Sequence, residues 1–163
     1  MGGLTPCWRP SRVSSAPVAN RILVVGWDGA DWDILDPLLA AGELPHLARL
    51  VERGRRGVSR SCTPSHSWAA WPTFLTGRDP AGHGVFDILE HKPGASRRLP
   101  VSSHSILAPT WPQRMTEAGR TTLLVNVPLT YPAPEITGVC IAGGVIPGNS
   151  PFSHPPEVGP ELN

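Results

Sequence analysis

The stretch Arg21-Ile-Leu-Val-Val-Gly26 decides the predicted fold of this chain. Its four central residues are leucine or β-branched, and such a run favours a strand that is buried on both faces of a sheet. Trp27-Asp-Gly29 follows directly and predicts a loop at the carboxyl end of this strand. In open α/β sheets, ligands bind beyond the carboxyl ends of the strands. The stretch therefore predicts a central strand and makes Asp28 a candidate for ligand binding.

Capping residues and glycines divide much of the remaining chain into helices. Asp31 is a suitable N-cap for a short helix that stops at Gly42, and Pro37 is expected in the first turn of that helix. Three more helices are each expected to end at a glycine, over residues 45–54, 67–77 and 109–119. These signals are local, so they predict the ends of the helices better than their packing.

Two further apolar runs, Thr121–Val127 and Gly138–Ala142, read as strands, and Val85–Leu89 is a weaker candidate. Strands that alternate with helices are typical of an α/β fold. We therefore expect a layered α/β/α arrangement around a mainly parallel sheet. Residues 21–163 would form one domain, preceded by a disordered leader over residues 1–20, where Ser, Pro and Gly dominate.

The composition excludes several classes of function. Lys and Arg (14) nearly balance Asp and Glu (13), so the chain lacks the basic excess of a nucleic-acid-binding surface. No apolar run approaches the roughly 20 residues of a membrane-spanning helix, and residues 1–20 lack the apolar core of a signal peptide. The three cysteines are far apart, which favours a reducing compartment. We therefore expect a cytoplasmic protein without a membrane segment.

Asp28, Ser67 and His83 are the candidate site residues, and each has a structural alternative. Asp28 lies between glycines, where its carboxylate suits a divalent cation or simply caps the following turn. Ser67 opens a predicted helix, where a hydroxyl can act as nucleophile or serve as an ordinary N-cap. His83, between two glycines, can contact a ligand or pack on the preceding helix, and we favour packing.

Several short motifs occur in one particular order after the first strand. They are Glu43–Leu50, Ser67–Gly77, Asp79–Asp87 and Asn126–Pro132. In this order the chain resembles the start of a prokaryotic type I phosphodiesterase/nucleotide pyrophosphatase-like protein of the alkaline phosphatase superfamily. The resemblance covers residues 20–158, and it rests on the order and spacing of the motifs rather than on any one of them.

The resemblance implies a metal-dependent phosphoester hydrolase that acts on a small phosphoester substrate. It implies that Asp28 is a metal ligand and that Ser67 is both the nucleophile and a metal ligand, in a site that holds two zinc ions or manganese. A covalent phosphoryl-enzyme intermediate would form on Ser67. Nucleotide pyrophosphatases of the eukaryotic type carry a phosphate-binding Asn three residues after the nucleophile, and this chain has Ala70 there. Nucleotide substrates are therefore not implied.

The sequence lacks the remaining metal ligands that the resemblance requires. No Asp follows Asp87, and no histidine later than His91 lies in an Asp-x-x-x-His or Asp-His setting. Zinc sites use three or four protein ligands, so Asp28 and Ser67 cannot hold a zinc pair by themselves. We therefore expect the N-terminal fragment of a hydrolase that is inactive alone. The alternative is a non-catalytic remnant or binding module that keeps the first half of the fold.

Overall fold

The computed structural model describes residues 21–92, 94–148 and 150–162, and the predicted leader, residues 1–20, lies outside them. Five α-helices form in this part of the chain: α1 (Trp32–Ala40), α2 (Pro45–Arg53), α3 (Ser67–Thr76), α4 (Pro80–His83) and α5 (Trp111–Glu117). The strands are β1 (Leu89–Glu90), β2 (Leu99–Pro100), β3 (Thr122–Val127), β4 (Gly138–Ala142) and β5 (Ser153–His154). Short 3₁₀ helices cover Ser103–Ser105 and Pro156–Leu162. The mixture of helices and strands agrees with the predicted α/β class.

The strand predicted at Arg21–Gly26 does not form in the described structure. This segment has no regular secondary structure, and Ile22, Leu23, Val24 and Val25 are between 55% and 87% exposed. A strand exists only where a neighbour takes up its backbone hydrogen bonds, and no described strand pairs with this segment. The prediction of a strand buried on both faces was therefore wrong, although the apolar pattern itself is present.

The sheets are smaller than the sequence analysis predicted. β1 and β2 form an antiparallel pair, and a separate sheet has the strand order β3-β4-β5 in the described residues. β3 and β4 are parallel, whereas β4 and β5 are antiparallel. The layered arrangement around a mainly parallel sheet is therefore not confirmed. Its expected central strand, residues 21–26, contributes no pairing to the described sheets, which leaves one parallel pair.

The helix ends follow the local signals of the sequence. Asp31 caps α1 by accepting a hydrogen bond from the Asp33 backbone N–H at 3.0 Å. α2, α3 and α5 end at or just before the predicted glycines. One detail was wrong, because Pro37 lies in the second turn of α1 rather than in its first. Pro37 there lacks the N–H that would bond the carbonyl of Asp33 four residues earlier.

The buried core consists of two small clusters. The first contains Val85, Val101 and Leu129, with Trp68 of α3 packed against it. The second contains Leu124, Ile136 and Cys140 beneath Trp111 of α5. The two tryptophans anchor α3 and α5 to these clusters, so the beginning of α3 has a fixed position next to the loops that follow β3 and β4. In the described part of the chain, no helix is long and apolar enough to cross a membrane.

Candidate active site

The loop after residue 26 is a tight turn that presents Asp28. The Ala30 N–H donates to the Trp27 carbonyl at 3.3 Å, which closes a four-residue turn. Gly29 occupies the third position with φ of +73°, a conformation that glycine adopts without steric cost. Asp28 therefore lies at the corner of the turn, and it is exposed to solvent.

Contact between Gly26 and Trp71 fixes this turn against α3. A Cβ built at position 26 would lie 2.5 Å from Cη2 of the Trp71 indole. Only a residue without a side chain therefore permits this approach. Because Trp71 lies one turn along α3 from Ser67, the contact brings the turn to the beginning of the helix. Trp71 in turn contacts Phe74 edge to face, with the ring centroids 6.0 Å apart.

Ser67 and Asp28, 39 residues apart in sequence, are hydrogen-bonded in the structure. The Ser67 hydroxyl Oγ donates to Oδ1 of Asp28 at 3.0 Å. Ser67 is the first residue of α3, and the N-cap position belongs to His66. The hydroxyl is therefore directed at a carboxylate rather than at the backbone N–H groups that an N-cap satisfies. An N-cap role for Ser67, one of the two interpretations its position allowed, is not supported by the structure.

The position of Ser67 has electrostatic consequences. α3 is ten residues long, and the N-terminal end of a helix carries a partial positive charge. Negative charge that develops on Oγ or on a bound phosphate would be stabilised there. Ser67 is half-buried and Asp28 is exposed, so a ligand can reach both side chains from solvent.

The residue before Ser67, His66, contacts the segment that follows α4. His66 contacts the Phe86 carbonyl through Nε2 at 2.7 Å, so its ring is held against that segment. The next residue, Asp87, accepts a hydrogen bond from the Arg98 guanidinium at 2.7 Å. This bond, with the Ile88 backbone N–H as a second donor, lowers the pKa of the Asp87 carboxyl. Asp87 therefore forms an ion pair with Arg98, while the contact with Phe86 holds His66, the N-cap residue of α3, in place.

The described residues do not contain a complete set of zinc ligands. No group of three His, Cys, Asp or Glu side chains within residues 21–92, 94–148 and 150–162 is arranged to hold a metal ion. A zinc site requires three or four protein ligands, and Asp28 and Ser67 provide two oxygen donors. These residues therefore do not form a complete zinc site by themselves.

His83 is fully buried, with 0% of its surface exposed, and its described ring hydrogen bonds go to residues other than Asp28 and Ser67. Its Nε2 lies 3.0 Å from Oγ1 of Thr73 on α3, and its Nδ1 accepts a hydrogen bond from the Val85 N–H at 3.2 Å. The favoured interpretation, that His83 packs on the preceding helix, agrees with this position. No pattern in the sequence indicated the contact with Thr73.

The carboxyl ends of the parallel strands β3 and β4 come close to the same region. At the end of β3, Asn126 has φ of +54° and lies at an irregularity in the pairing with β4. Gly143 follows β4 and packs so closely that a Cβ would lie 2.5 Å from the carbonyl carbon of Asn126. Gly144 faces the indole of Trp68, the neighbour of Ser67, at 4.0 Å from an added Cβ. These strand ends therefore border the first turn of α3.

The structure thus brings together Asp28 and Ser67, two of the three candidate residues, although the strand expected to carry Asp28 does not form in the described residues. Three supporting contacts were not predicted: Gly26 on Trp71, His66 on the Phe86 carbonyl, and His83 on Thr73. A glycine directly before the Trp-Asp pair was the only available signal for the first of these contacts.

Comparison with known proteins agrees with the motif order. Residues 22–161 match the family described as type I phosphodiesterase / nucleotide pyrophosphatase. Neither a curated protein nor a solved structure matches the chain. The match covers most of the 163 residues and includes the turn at Asp28 and the helix that begins at Ser67. The chain therefore belongs to the type I phosphodiesterase / nucleotide pyrophosphatase family.

Proposed function

We propose that Asp28 and Ser67 form the nucleophile half of a phosphoester hydrolase centre, with Ser67 as the nucleophile. The observation that carries the proposal is the 3.0 Å hydrogen bond from Ser67 Oγ to Asp28 Oδ1 at the N-terminal end of α3. A serine whose hydroxyl is held by a carboxylate has a defined direction for attack. Membership of the phosphodiesterase family supports the reaction class.

The chemistry assigned to these side chains is a two-step displacement. Ser67 Oγ forms a bond to phosphorus, and the bond between phosphorus and the leaving oxygen breaks. The hydroxyl proton passes to Asp28 Oδ1, which already accepts the hydrogen bond, and from there to the leaving oxygen. Water then attacks the phosphoserine ester, which releases phosphate or a phosphomonoester and restores Ser67. The partial positive charge at the beginning of α3 stabilises the negative charge of the transferred group.

We further propose that Asp28 and Ser67 are two of the ligands of a divalent metal ion, zinc or manganese. When bound, it would act as a Lewis acid on the phosphoryl oxygens. The described residues provide two of the three or four ligands that zinc needs, so we expect the 163-residue chain to bind zinc weakly. For the same reason we expect the chain alone to be inactive or nearly so.

The proposed substrate is a small phosphoester rather than a nucleotide in particular. Asp28 is exposed at the corner of its turn, so the site is open on that side. Three residues after Ser67, Ala70 has a methyl group and cannot hydrogen-bond a phosphate oxygen. Recognition of phosphate in this region therefore depends on the backbone N–H groups of the first turn of α3 and on the Ser67 hydroxyl.

The test is hydrolysis of bis(p-nitrophenyl) phosphate and p-nitrophenyl phosphate with excess Zn²⁺ or Mn²⁺, together with calorimetric titration of each metal. The variants are Ser67→Ala and Asp28→Asn, with Ser65→Ala as the matched control on the preceding turn. Turnover that Ser67→Ala abolishes and Ser65→Ala leaves intact supports the proposal. Metal binding that Asp28→Asn abolishes, without turnover, supports an incomplete centre of the same kind.

A non-catalytic remnant or binding module is the alternative. It is favoured by one observation, that no three metal-ligating side chains cluster in the described residues. Turnover that survives Ser67→Ala would contradict the proposed nucleophile. Absence of both turnover and Asp28-dependent metal binding would contradict the hydrolase centre and favour this alternative.

A further inference from the structure

We propose that His83 is a positioning residue for Ser67: it acts through Thr73 and the Ala69 carbonyl to hold the first turn of α3. This inference rests on the proposed function only in naming Ser67 as the group that is positioned. The hydrogen bonds that carry it stand independently of any activity. None of the described hydrogen bonds joins His83 to Asp28 or Ser67, and its effect passes through the Thr73 hydroxyl to the backbone of α3.

The tautomer of His83 follows from its two neighbours. Nδ1 accepts a hydrogen bond from the Val85 N–H at 3.2 Å, so it carries no proton. A neutral imidazole then carries its proton on Nε2, which lies 3.0 Å from Thr73 Oγ1. The His83 ring therefore donates to the Thr73 hydroxyl. Complete burial lowers the pKa of His83, which agrees with a neutral ring.

The Thr73 hydroxyl passes this constraint to the beginning of α3. Because Oγ1 accepts from His83, its own proton is free to donate, and it donates to the Ala69 carbonyl at 2.9 Å. The direction of each bond is therefore fixed from Val85 through His83 and Thr73 to Ala69. Ala69 is fully buried and lies two residues after Ser67.

Pro72 removes one backbone hydrogen bond from the beginning of α3, so an additional bond there has more effect. Proline has no N–H, so the Trp68 carbonyl four residues earlier lacks its usual donor within the helix. The bonds that join this turn to the N-cap residue run from the Ala69 and Ala70 N–H groups to the His66 carbonyl, at 3.1 and 3.0 Å. Opening of this turn would rotate the Ser67 hydroxyl away from Asp28. The bond from Thr73 to Ala69 opposes that motion.

His83 is itself anchored at three points outside α3. Its N–H donates to the Asp79 carbonyl at 3.0 Å, and its carbonyl accepts from the Leu107 N–H at 3.0 Å. Gly84 next to it packs against the Leu107 side chain, where an added Cβ would lie 2.7 Å away. Val85, two residues after His83, belongs to the first core cluster and holds the same loop in place. The imidazole therefore contacts α3 from a loop that is itself well anchored.

The experiment is amide hydrogen exchange of the full chain, without metal or substrate, with the Ala69 and Ala70 amides as the readout. His83→Phe and Thr73→Val each remove one link, and Thr73→Ser restores the hydroxyl. Thr76→Val is the matched control, because its hydroxyl makes the same type of bond to the Pro72 carbonyl at the other end of α3. The amides of α5 report global stability.

We expect His83→Phe and Thr73→Val to raise exchange at Ala69 and Ala70 by about tenfold relative to α5. Thr73→Ser and Thr76→Val should leave that ratio at the wild-type value. An equal increase in α3 and α5, or no increase, would overturn the proposal, since His83 would then support the core alone. If His83→Phe does not fold, Thr73→Val with its Thr73→Ser rescue decides the question.

The ¹⁵N shifts of the His83 ring give a second test. At neutral pH we expect a protonated Nε2 and an unprotonated Nδ1, and the opposite tautomer would overturn the proposal. Neither measurement depends on turnover. Failure of the brace and failure of the proposed hydrolase centre therefore appear in different experiments.

Discussion

Gly26 and Trp71 are in such close contact that the residue directly before the turn carrying Asp28 has no room for a side chain. A Cβ at Gly26 would lie 2.5 Å from Cη2 and 3.0 Å from Cζ3 of the indole. These two atoms belong to the outer ring of Trp71. The contact connects a loop to a helix more than 40 residues away, and Asp28 reaches Ser67 in consequence.

Gly26→Ala is expected to lower the free energy of unfolding by about 1–3 kcal/mol, because the added methyl group overpacks the contact. Gly57→Ala is the control, since nothing lies within 4 Å of a Cβ there, and we expect a change within about 0.5 kcal/mol. Urea unfolding measures both. Trp71→Phe removes the clashing atoms, so the double variant should be less damaged than the sum of the single variants. Strict additivity would contradict the contact.

Ser67→Ala is expected to change the free energy of unfolding by no more than about 0.5 kcal/mol, because Ser67 is not the N-cap of α3. Thr110→Ala is the comparison, since Thr110 is the N-cap of α5 in a capping box with Gln113. A lost cap costs about 1 kcal/mol. Denaturant titration of both variants separates a capping role from a chemical one. A larger loss for Ser67→Ala than for Thr110→Ala would reinstate the capping interpretation.

Stability is expected to fall as the pH drops below about 6.5, owing to His83. Burial lowers its pKa in the folded state, and the Ala69 carbonyl and the charge of Asp79 offset this only in part. The unfolded chain therefore binds the proton more readily, and acid favours unfolding from the unfolded pKa down to the folded pKa. A proton on Nδ1 would also point at the Val85 N–H, and the hydrogen bond between these two groups would be lost.

His83→Gln removes this titration, so its unfolding free energy should depend less on pH between about 5 and 7 than that of the wild type. Chemical denaturation at a series of pH values measures the difference. Arginine partners lower the pKa values of Asp36 and Asp87. Protonation of these two carboxylates therefore changes stability only below their ordinary pKa of 3.8, which lies outside this pH window. Identical pH profiles for the wild type and His83→Gln would contradict the prediction.

Arg56→Gln is expected to raise the pKa of Asp36 toward its ordinary value of 3.8. Arg56 donates to both carboxylate oxygens of Asp36 at 2.6 Å and lies over the indole of Trp32 at 4.0 Å. Side-chain hydrogen bonds from Arg56 are the main cause of the lowered pKa. NMR titration of the carboxyl carbons follows this shift.

Arg98→Gln provides the reciprocal control, because Arg98 lowers the pKa of Asp87 and has no contact with Asp36 among the described hydrogen bonds. Each variant should therefore move the pKa of its own carboxylate and leave the other unchanged. A shift of both carboxylates in one variant would show that the two ion pairs are coupled.

All the described α-helices except the four-residue α4 were predictable, because their signals lie within a few residues. Asp31, Gly54 and Gly77 mark ends of α1, α2 and α3, where they were expected. The strand at residues 21–26 was not predictable in the same way, because strand formation depends on a pairing partner elsewhere in the chain. β3 illustrates the same limit: the strand itself was predicted, but Leu123 and Val125 on one of its faces remain exposed.

The residues of the candidate site could be predicted from the sequence, but the contacts that hold them in place could not. Asp28 and Ser67 stood out through residue type, position and family resemblance, and they meet in the structure. Thr73 looked like an ordinary helix residue, since its role depends on a histidine that arrives from the following loop. Long-range contacts between side chains of this kind leave no periodic pattern in a sequence.

The segment Ile22–Val25 has a consequence for handling this protein. Four consecutive β-prone side chains without charge or proline are typical of sequences that assemble into intermolecular β-structure. β3, which pairs with β4 in the described sheet, presents its other edge as a template for such assembly. Aggregation should therefore start at these two elements. A lysine in place of Leu23, which is 87% exposed, is the substitution expected to improve solubility with the least effect on the fold.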